Sequence, residues 1–354
     1  MNIGIIGGGQ LGMMMAREAI KLGHKIISLD PSKSCSITKY ASIHLVYNYY
    51  DEEGIKKLIA SSDVITYEFE NINKEVITSL TDKLPQKIQA LEISQNRLKE
   101  KELAKSLGIQ TAKFKKYIDK TDLFYPSIIK SIMGGYDGKG QLLIKDKLDF
   151  KPELLNVGTN YIIEEIIDFD YEISVISTRD SFGKIVYYPV PKNVHKNGIL
   201  FTSIITKDVP LNVIDRAKAY TMKILESLDY IGTLAVEFFV RGTDVLFNEF
   251  APRPHNSGHY TIEGCNVSQF KNHILAITSN HVIEPLLLAD SIMINVLGQN
   301  LGYFDKARQL SNVYIHDYYK QEAFVNRKMG HITIIGTSKE DCIRKMDLII
   351  GEQK

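Results

Sequence analysis

Two glutamates, Glu237 and Glu249, lie either side of a turn in the stretch LAVEFFVRGTDVLFNEF. The turn RGTD separates two apolar runs of strand-like composition, the pattern of a β-hairpin. A loop with an odd residue count sets Glu237 opposite Glu249 and Phe239 opposite Phe247; an even loop sets Asn248 opposite Glu237 instead. We take the odd register. Two carboxylates ~5 Å apart on an apolar hairpin repel each other and are costly to bury. A divalent cation removes that cost. Hard oxygen ligands without Cys or His suit Mg²⁺, or Mn²⁺, bridging to nucleotide phosphates. The plainer alternative is two solvated glutamates on opposite faces, which the apolar flanks disfavour.

A second stretch, IIKSIMGGYDGKGQLLIK, carries Gly134, Gly135, Gly138 and Gly140 between two strand-like runs. So many glycines cost backbone entropy, and phosphate oxygens wrapped by free N–H groups would offset it. Lys130 and Lys139 add point charges suited to phosphate. No G-K-[ST] opens a helix here, so this is not a Walker loop. A hairpin tip with two solvated lysines remains open as a reading. In YIIEEIIDFDYEISV, backbone groups beside Glu164 and Glu165 suit an adenine edge and Glu172 suits ribose hydroxyls; a strand with one wet face is the alternative. The loop APRPHNSGHYTIEG concentrates Arg253, His255, Asn256, Ser257 and His259, with Arg253 suited to a bidentate anion contact and no zinc spacing among the histidines.

The chain opens on MNIGIIGGGQLG, with Gly7, Gly9 and Gly12 at dinucleotide-fingerprint spacing and Asp30 ending the next apolar run. That suggests hydride-transfer chemistry. Only about three strands precede a change of texture near residue 110, too few for a double mononucleotide-binding fold. A tight strand-to-helix turn is the competing reading, with any anion bound only at the helix end.

These residues need scaffolds. Alternating strands and helices over the first ~95 residues predict a parallel sheet with crossover helices. One helix is expected over most of SQNRLKEKELAKSLGI, with Ser94 as cap and Gly108 as stop. Closely spaced β runs from 110 to 205 predict antiparallel sheet, followed by a helix over LNVIDRAKAYTMKILESLDY and the acidic hairpin. A small mixed tail is expected after residue 285. The 354 residues carry a net charge of +1, 44% hydrophobic and 24% charged residues, which is globular composition with no bulk pull toward nucleic acid. No apolar run reaches the ~18 residues that span a bilayer, and the amino terminus lacks a leader pattern, so a cytoplasmic protein is expected. Cys35, Cys265 and Cys342 are far apart and read as small apolar residues.

Taken together, GIIGGGQLG, DVITYEFENI, GGYDGKGQ, NEFAPRPHNSGHYTIEGC, SQF and RKMGH closely resemble the 5-(carboxyamino)imidazole ribonucleotide synthase family of the ATP-grasp superfamily. The likeness runs from residue 4 to 331. It implies an α/β fold, α+β in part: a Rossmann-like pre-ATP-grasp domain (1–95), a small ATP-grasp subdomain with a glycine lid (96–165), a large one with metal and substrate sites (166–285), and a C-terminal subdomain (286–354). It implies ATP-dependent carboxylation of 5-aminoimidazole ribonucleotide by bicarbonate, through carboxyphosphate, in purine biosynthesis. Carried over by position, Arg97, Lys130 and Gly135, Tyr136, Asp137, Gly138, Lys139, Gly140 and Gln141 meet the ATP phosphates. Glu164, Glu165, Ile166 and Ile167 form the adenine hinge, Glu172 meets the ribose with His195 nearby, and Asn248 flanks the metal ligands Glu237 and Glu249. Tyr136, Asp137, Lys139, Arg253, His255 and Asn256 face bicarbonate and ribonucleotide; Lys320, Arg327 and Lys328 reach the ribonucleotide phosphate; Glu68 or Glu70 approaches from the first domain. Arg253, Lys130, Tyr136, Asp137 and Lys139 are the expected catalytic residues. The resemblance also implies a homodimer. Another ATP-grasp ligase with an acyl-phosphate intermediate is the nearest rival, ahead of a nicotinamide oxidoreductase and a non-catalytic ATP-binding subunit.

Overall fold

The structure, a computed structural model, describes residues 1–73, 76, 78–134, 140–156 and 158–351. Its first sheet is parallel, ordered β3-β2-β1-β4, from β1 (Asn2–Ile6), β2 (Lys25–Leu29), β3 (Ile43–Leu45) and β4 (Val64–Tyr67). Its strands are nearly continuous apolar runs because both faces are covered. One face packs on α1 (Gln10–Lys21) through Met13, Met14 and Ala16; the other packs on α2 (Glu52–Ser61) through Ile55 and Leu58. The fourth strand, β3, is a correction to the expected three. At three residues, one of them His44, it is too short to show as a pattern.

The expected single helix after it is two: α3 (Ile88–Ser94) and α4 (Arg97–Ser106). Ser94 ends the first. The second is capped by Asn96, whose side chain accepts from the Lys99 N–H. The break turns the chain so that α4 presents Arg97, Glu100 and Lys101 toward the following sheets.

The second sheet is antiparallel, ordered β5-β8-β6-β7, from β5 (Phe114–Tyr117), β6 (Ser127–Ser131), β7 (Gln141–Ile144) and β8 (Tyr161–Glu165). Lys130 pairs with Gln141, so β6 and β7 are antiparallel neighbours that flank the glycine-rich segment. Gly134 and Gly140 at its two ends have φ of 77° and 73°, which favours glycine.

The third sheet has nine strands, all paired antiparallel: β9 (Tyr171–Arg179), β10 (Ile185–Tyr187), β11 (Lys192–Lys196), β12 (Ile199–Ile205), β13 (Gly232–Arg241), β14 (Asp244–Ala251), β15 (Asp290–Leu297), β16 (Val313–Asp317) and β17 (Lys328–Gly336). Its order is β14-β13-β9-β11-β12-β15-β17-β16, with β10 on β9. The strands after residue 285 extend this sheet, β15 pairing with β12. Helix α5 (Leu211–Ser227) lays Val213, Ala217 and Ile224 on β9, β13 and β14. Helix α6 (Gln269–Ile277) joins the first sheet's core through Phe270 and Ile274, and α7 (Lys339–Ile350) covers β15 and β17. Strands β5 (FKKY) and β11 (KNVHK) were not foreseen, because neither has an apolar run.

Candidate functional site

The acidic hairpin pairs Glu237 with Glu249 as expected, for a reason other than loop length. The turn between Arg241 and Asp244 has two residues, an even loop that alone would set Asn248 against Glu237. A bulge intervenes: Phe238 pairs with Phe247, so Asn248 is the extra residue and Glu249 is carried into place. Phe239 therefore faces Leu246, correcting the expected pairing with Phe247. The bulge also turns Asn248, Glu249, Phe250 and Ala251 all onto one cleft of ≈ 470 Å³, into which Ala235, Glu237 and Phe239 alternate from β13.

Burial, then the charge of Glu249, pushes the Glu237 carboxyl up to about 7. Among the described residues no group of three or more His, Cys, Asp or Glu side chains is set to hold a metal. Two carboxylates that resist ionising together fit an ion whose remaining ligands are phosphate oxygens and water. Arg97 Nη1 lies 3.1 Å from Glu249 Oε2.

Elsewhere along the cleft, Lys130 Nζ lies 3.1 Å from Glu164 Oε2. The Glu164 side chain is buried against Lys130 and Lys101, so any contact it makes with adenine is through its backbone. Glu165, Ile166 and Ile167 line the same cleft, with Phe169 stacked on Phe239 at ring centroids 4.7 Å apart. Glu172 hydrogen-bonds His195 Nδ1. Burial opposes a charge on His195, but that bond and the field of Glu237 outweigh it and raise the imidazole above its ordinary value.

The loop after β14 brings Arg253, His255 and Asn256 to the cleft floor. Arg253 Nη2 donates to Glu70 Oε2 at 3.1 Å, and Nε lies 2.8 Å from Glu70 Oε1, an ion pair that crosses from the first sheet's domain. His255 Nδ1 accepts from the Ser257 N–H at 3.3 Å, which leaves Nε2 as the protonated nitrogen, 3.3 Å from Glu237 Oε1. Burial holds His255 well below its ordinary value, so it is neutral there. Both amide atoms of Asn256 are buried without a protein partner. Lys328 also lines this cleft.

The opening glycine loop holds no vacant anion cradle. Gly9 N and Gly12 N donate to Glu68 at 2.6 and 2.8 Å, and Gly8 N donates to Asp30 Oδ2 at 2.7 Å. Gly12 must be glycine because a Cβ there would sit 2.6 Å from Gly7 O. The two candidate acids thus separate: Glu70 turns into the main cleft and Glu68 into a neighbouring cavity of ≈ 350 Å³ with Gly9, Lys320 and Arg327. Burial lowers Lys320 to about 8, with Arg327 adding to the effect.

Seventeen predicted site residues therefore converge on one cleft: Arg97, Lys130, Gln141, Glu164, Glu165, Ile166, Ile167, Glu172, His195, Glu237, Asn248, Glu249, Glu70, Arg253, His255, Asn256 and Lys328. Glu68, Lys320 and Arg327 form the second cavity. Gly140 sits at the hairpin's end, its carbonyl accepting from Ser131 N. Gly135, Tyr136, Asp137, Gly138 and Lys139 lie outside the described residues. Sequence reasoning missed Glu100, which lines the main cleft, Lys101, which lies behind it against Glu164, and Ser36, which lines the second cavity. Helical spacing from Arg97 points to the first two.

Family models match three consecutive stretches: a ribonucleotide synthetase preATP-grasp domain over residues 1–95, an ATP-grasp domain over 99–270 and a phosphoribosylaminoimidazole carboxylase C-terminal domain over 291–345. The chain is 41% identical over 347 residues to N5-carboxyaminoimidazole ribonucleotide synthase of Staphylococcus aureus (strain MRSA252), covering 94% of this chain and 92% of the relative. A crystal structure of an N5-carboxyaminoimidazole ribonucleotide synthetase bound to ADP superposes with a TM-score of 0.95 at 38% identity, covering 99% of this chain and 96% of the other. The Aspergillus clavatus synthase in complex with ADP and 5-aminoimidazole ribonucleotide gives a TM-score of 0.91 at 26% identity, covering 99% and 98%.

Proposed function

The chain belongs to the N5-carboxyaminoimidazole ribonucleotide synthase family of ATP-grasp ligases, and from that premise we propose how its two cavities divide the work. The enzyme couples ATP cleavage to carboxylation of 5-aminoimidazole ribonucleotide in purine biosynthesis, releasing ADP and phosphate. The observation that carries our assignment of the site is the Glu237–Glu249 pair lining one cleft with Lys130 and with Arg97, which pairs with Glu249.

In this reading adenine lies against Glu165, Ile166 and Ile167, with the Glu164 backbone completing the hinge and Glu172 and His195 at the ribose. Lys130 and Arg97 balance the triphosphate, and Gly140 and Gln141 anchor a lid formed by the segment from Gly135 to Lys139. Mg²⁺, or Mn²⁺, held by Glu237 and Glu249 beside Asn248 would neutralise phosphate charge and polarise the γ-phosphoryl group. A bicarbonate oxygen attacks the γ-phosphorus and ADP leaves, giving carboxyphosphate. The exocyclic amine then attacks its carbon, phosphate departs and the amine gives up a proton. Phosphoryl transfer depends on alignment and charge stabilisation more than on covalent help. Arg253, fixed by Glu70, orients the anionic intermediate, while His255 and Asn256 present neutral donors beside it. Lys320 and Arg327 hold the ribonucleotide phosphate in the second cavity, with Lys328 bridging toward the cleft. Tyr136, Asp137 and Lys139 of the lid face bicarbonate and exclude water from the short-lived intermediate.

We retain the division at residues 95, 165 and 285 as the functional partition, with homodimeric assembly, cytoplasmic residence and small-molecule substrates alone as partners. No helix among the described residues is long and apolar enough to cross a membrane. The test is ADP release with each co-substrate omitted in turn. Turnover that requires both bicarbonate and 5-aminoimidazole ribonucleotide is expected; turnover with formate in place of bicarbonate would redirect the assignment to another acyl-phosphate ligase.

A further inference from the structure

Lys101 is a buried lysine with no place in the reaction described above. Its side chain is 3% exposed and does not reach the cleft wall. Its Nζ lies 3.3 Å from Glu164 Oε2, and the same oxygen lies 3.1 Å from Lys130 Nζ. Glu164 is itself 4% exposed. One carboxylate oxygen therefore serves two ammonium groups, Lys101 buried and Lys130 at the cleft, and the triad carries one surplus positive charge. Lys101 Nζ also donates to Phe247 O at 3.3 Å, and its neighbour Glu100 accepts from Phe250 N at 3.2 Å. With Arg97 on Glu249, three residues on one face of α4 grip β14 around Asn248 and Glu249.

We propose that Lys101 is a positioning residue for the ATP triphosphate: it satisfies the charge of Glu164, so that Lys130 is shared by that carboxylate rather than captured by it. The inference rests on the reading of Lys130 as a phosphate contact. The reason is electrostatic. A lone Lys130–Glu164 pair in a buried setting is self-neutralised and offers a phosphate little. With Lys101 present the surplus charge sits at Lys130, the one ammonium of the triad facing the cleft. Compact ammonium groups serve phosphate as point charges, so location matters more than directional geometry. Lys101 and Lys130 together keep Glu164 ionised against the pull of burial, and burial lowers Lys101 itself. The bond to Phe247 O adds a second effect, fixing the phosphate-side strand against the strand bearing the acidic pair.

The charge count makes the test sharp. The triad carries +1 in the wild type, zero in Lys101→Met, and +1 again in Lys101→Met/Glu164→Gln. Steady-state ADP release by the full-length enzyme, with saturating bicarbonate and 5-aminoimidazole ribonucleotide, gives KM for ATP. Lys101→Met is expected to raise that KM about 10- to 100-fold, the worth of one charge-assisted contact, with KM for the ribonucleotide unchanged. The double variant is expected to return KM for ATP to within about threefold of wild type, because a neutral pair replaces a charged one at little cost. A double variant as impaired as Lys101→Met, or more so, overturns the proposal, since a purely structural lysine would not be rescued by removing its partner. If Lys101→Met does not fold, the double variant still decides on the same threefold criterion. Lys130→Met distinguishes the underlying reading: an unaltered KM for ATP there would remove Lys130 from the phosphates and the proposal with it.

Discussion

Glu237 should trade a proton for a metal ion. Burial and the facing Glu249 raise its carboxyl from 4.5 to about 7, which amounts to ~3 kcal/mol in favour of the protonated form. A carboxylate must be ionised to ligate, so metal binding at low pH has to expel that proton. At pH 6 roughly nine molecules in ten hold it, and at pH 8 roughly one in ten. The apparent affinity for Mn²⁺ or for the Mg²⁺–ATP complex should therefore fall about tenfold between pH 8 and pH 6. Titration calorimetry in two buffers of different ionisation enthalpy reads the proton directly: close to one released per metal at pH 6, close to none at pH 8. Glu249→Gln removes the second of the two causes, so the release at pH 6 should shrink even as the metal binds more weakly. Metal affinity that stays level across this range, with no proton appearing at pH 6, would refute the reasoning, because it would mean Glu237 is already ionised in the free site.

Three further outcomes are expected. Burial drives His273 to about 3, whereas it titrates near 6.5 when unfolded; the unfolded chain binds the extra proton, so stability is intact above 6.5 and falls as pH drops toward 3, by ~2 kcal/mol from this residue at pH 5. His259 and His331 are lowered in the same direction, and urea midpoints measured from pH 7 to pH 5 should fall steeply, less so in a His273→Gln protein. Arg253→Lys keeps the charge but loses the planar group that donates to Glu70 through Nη2; kcat should drop at least about tenfold with KM for ATP within about twofold. Replacing Cys35, Cys265 and Cys342 together by alanine should leave turnover within about twofold, since the proposed chemistry has no covalent nucleophile and burial raises all three thiols.

The chemistry-bearing stretches were legible because the residue types needed for phosphate and metal are conspicuous. Runs of glycine, paired acids and a donor-rich loop stand out against an apolar background, and their resemblance to a known family tied them together. What escaped was geometry set by single residues. The count of the β13–β14 loop gave the right pairing for Glu237 through the wrong parity, because a bulge at Asn248 adds the residue that the two-residue turn lacks. Strand β11, which delivers His195, was invisible because KNVHK has no apolar run and is held by its neighbours β9 and β12. Glu68 and Glu70 could not be told apart, since alternation puts both on one face. The structure parts them through two different partners, the backbone of the glycine loop and Arg253. Lys101 reads in sequence as one more solvated helix lysine; β8 and β14, both distant in the chain, close over it.

Glu68 also explains how a dinucleotide fingerprint can exist without a dinucleotide. The strand, turn and helix that would receive a pyrophosphate are intact, but the seat is taken by an acid of the same chain, tethered so that no free metabolite competes on equal terms. Exclusion here needs no bulky gatekeeper. The scaffold keeps its shape while its phosphate seat is filled from within, by a carboxylate two positions from the one that pairs with Arg253.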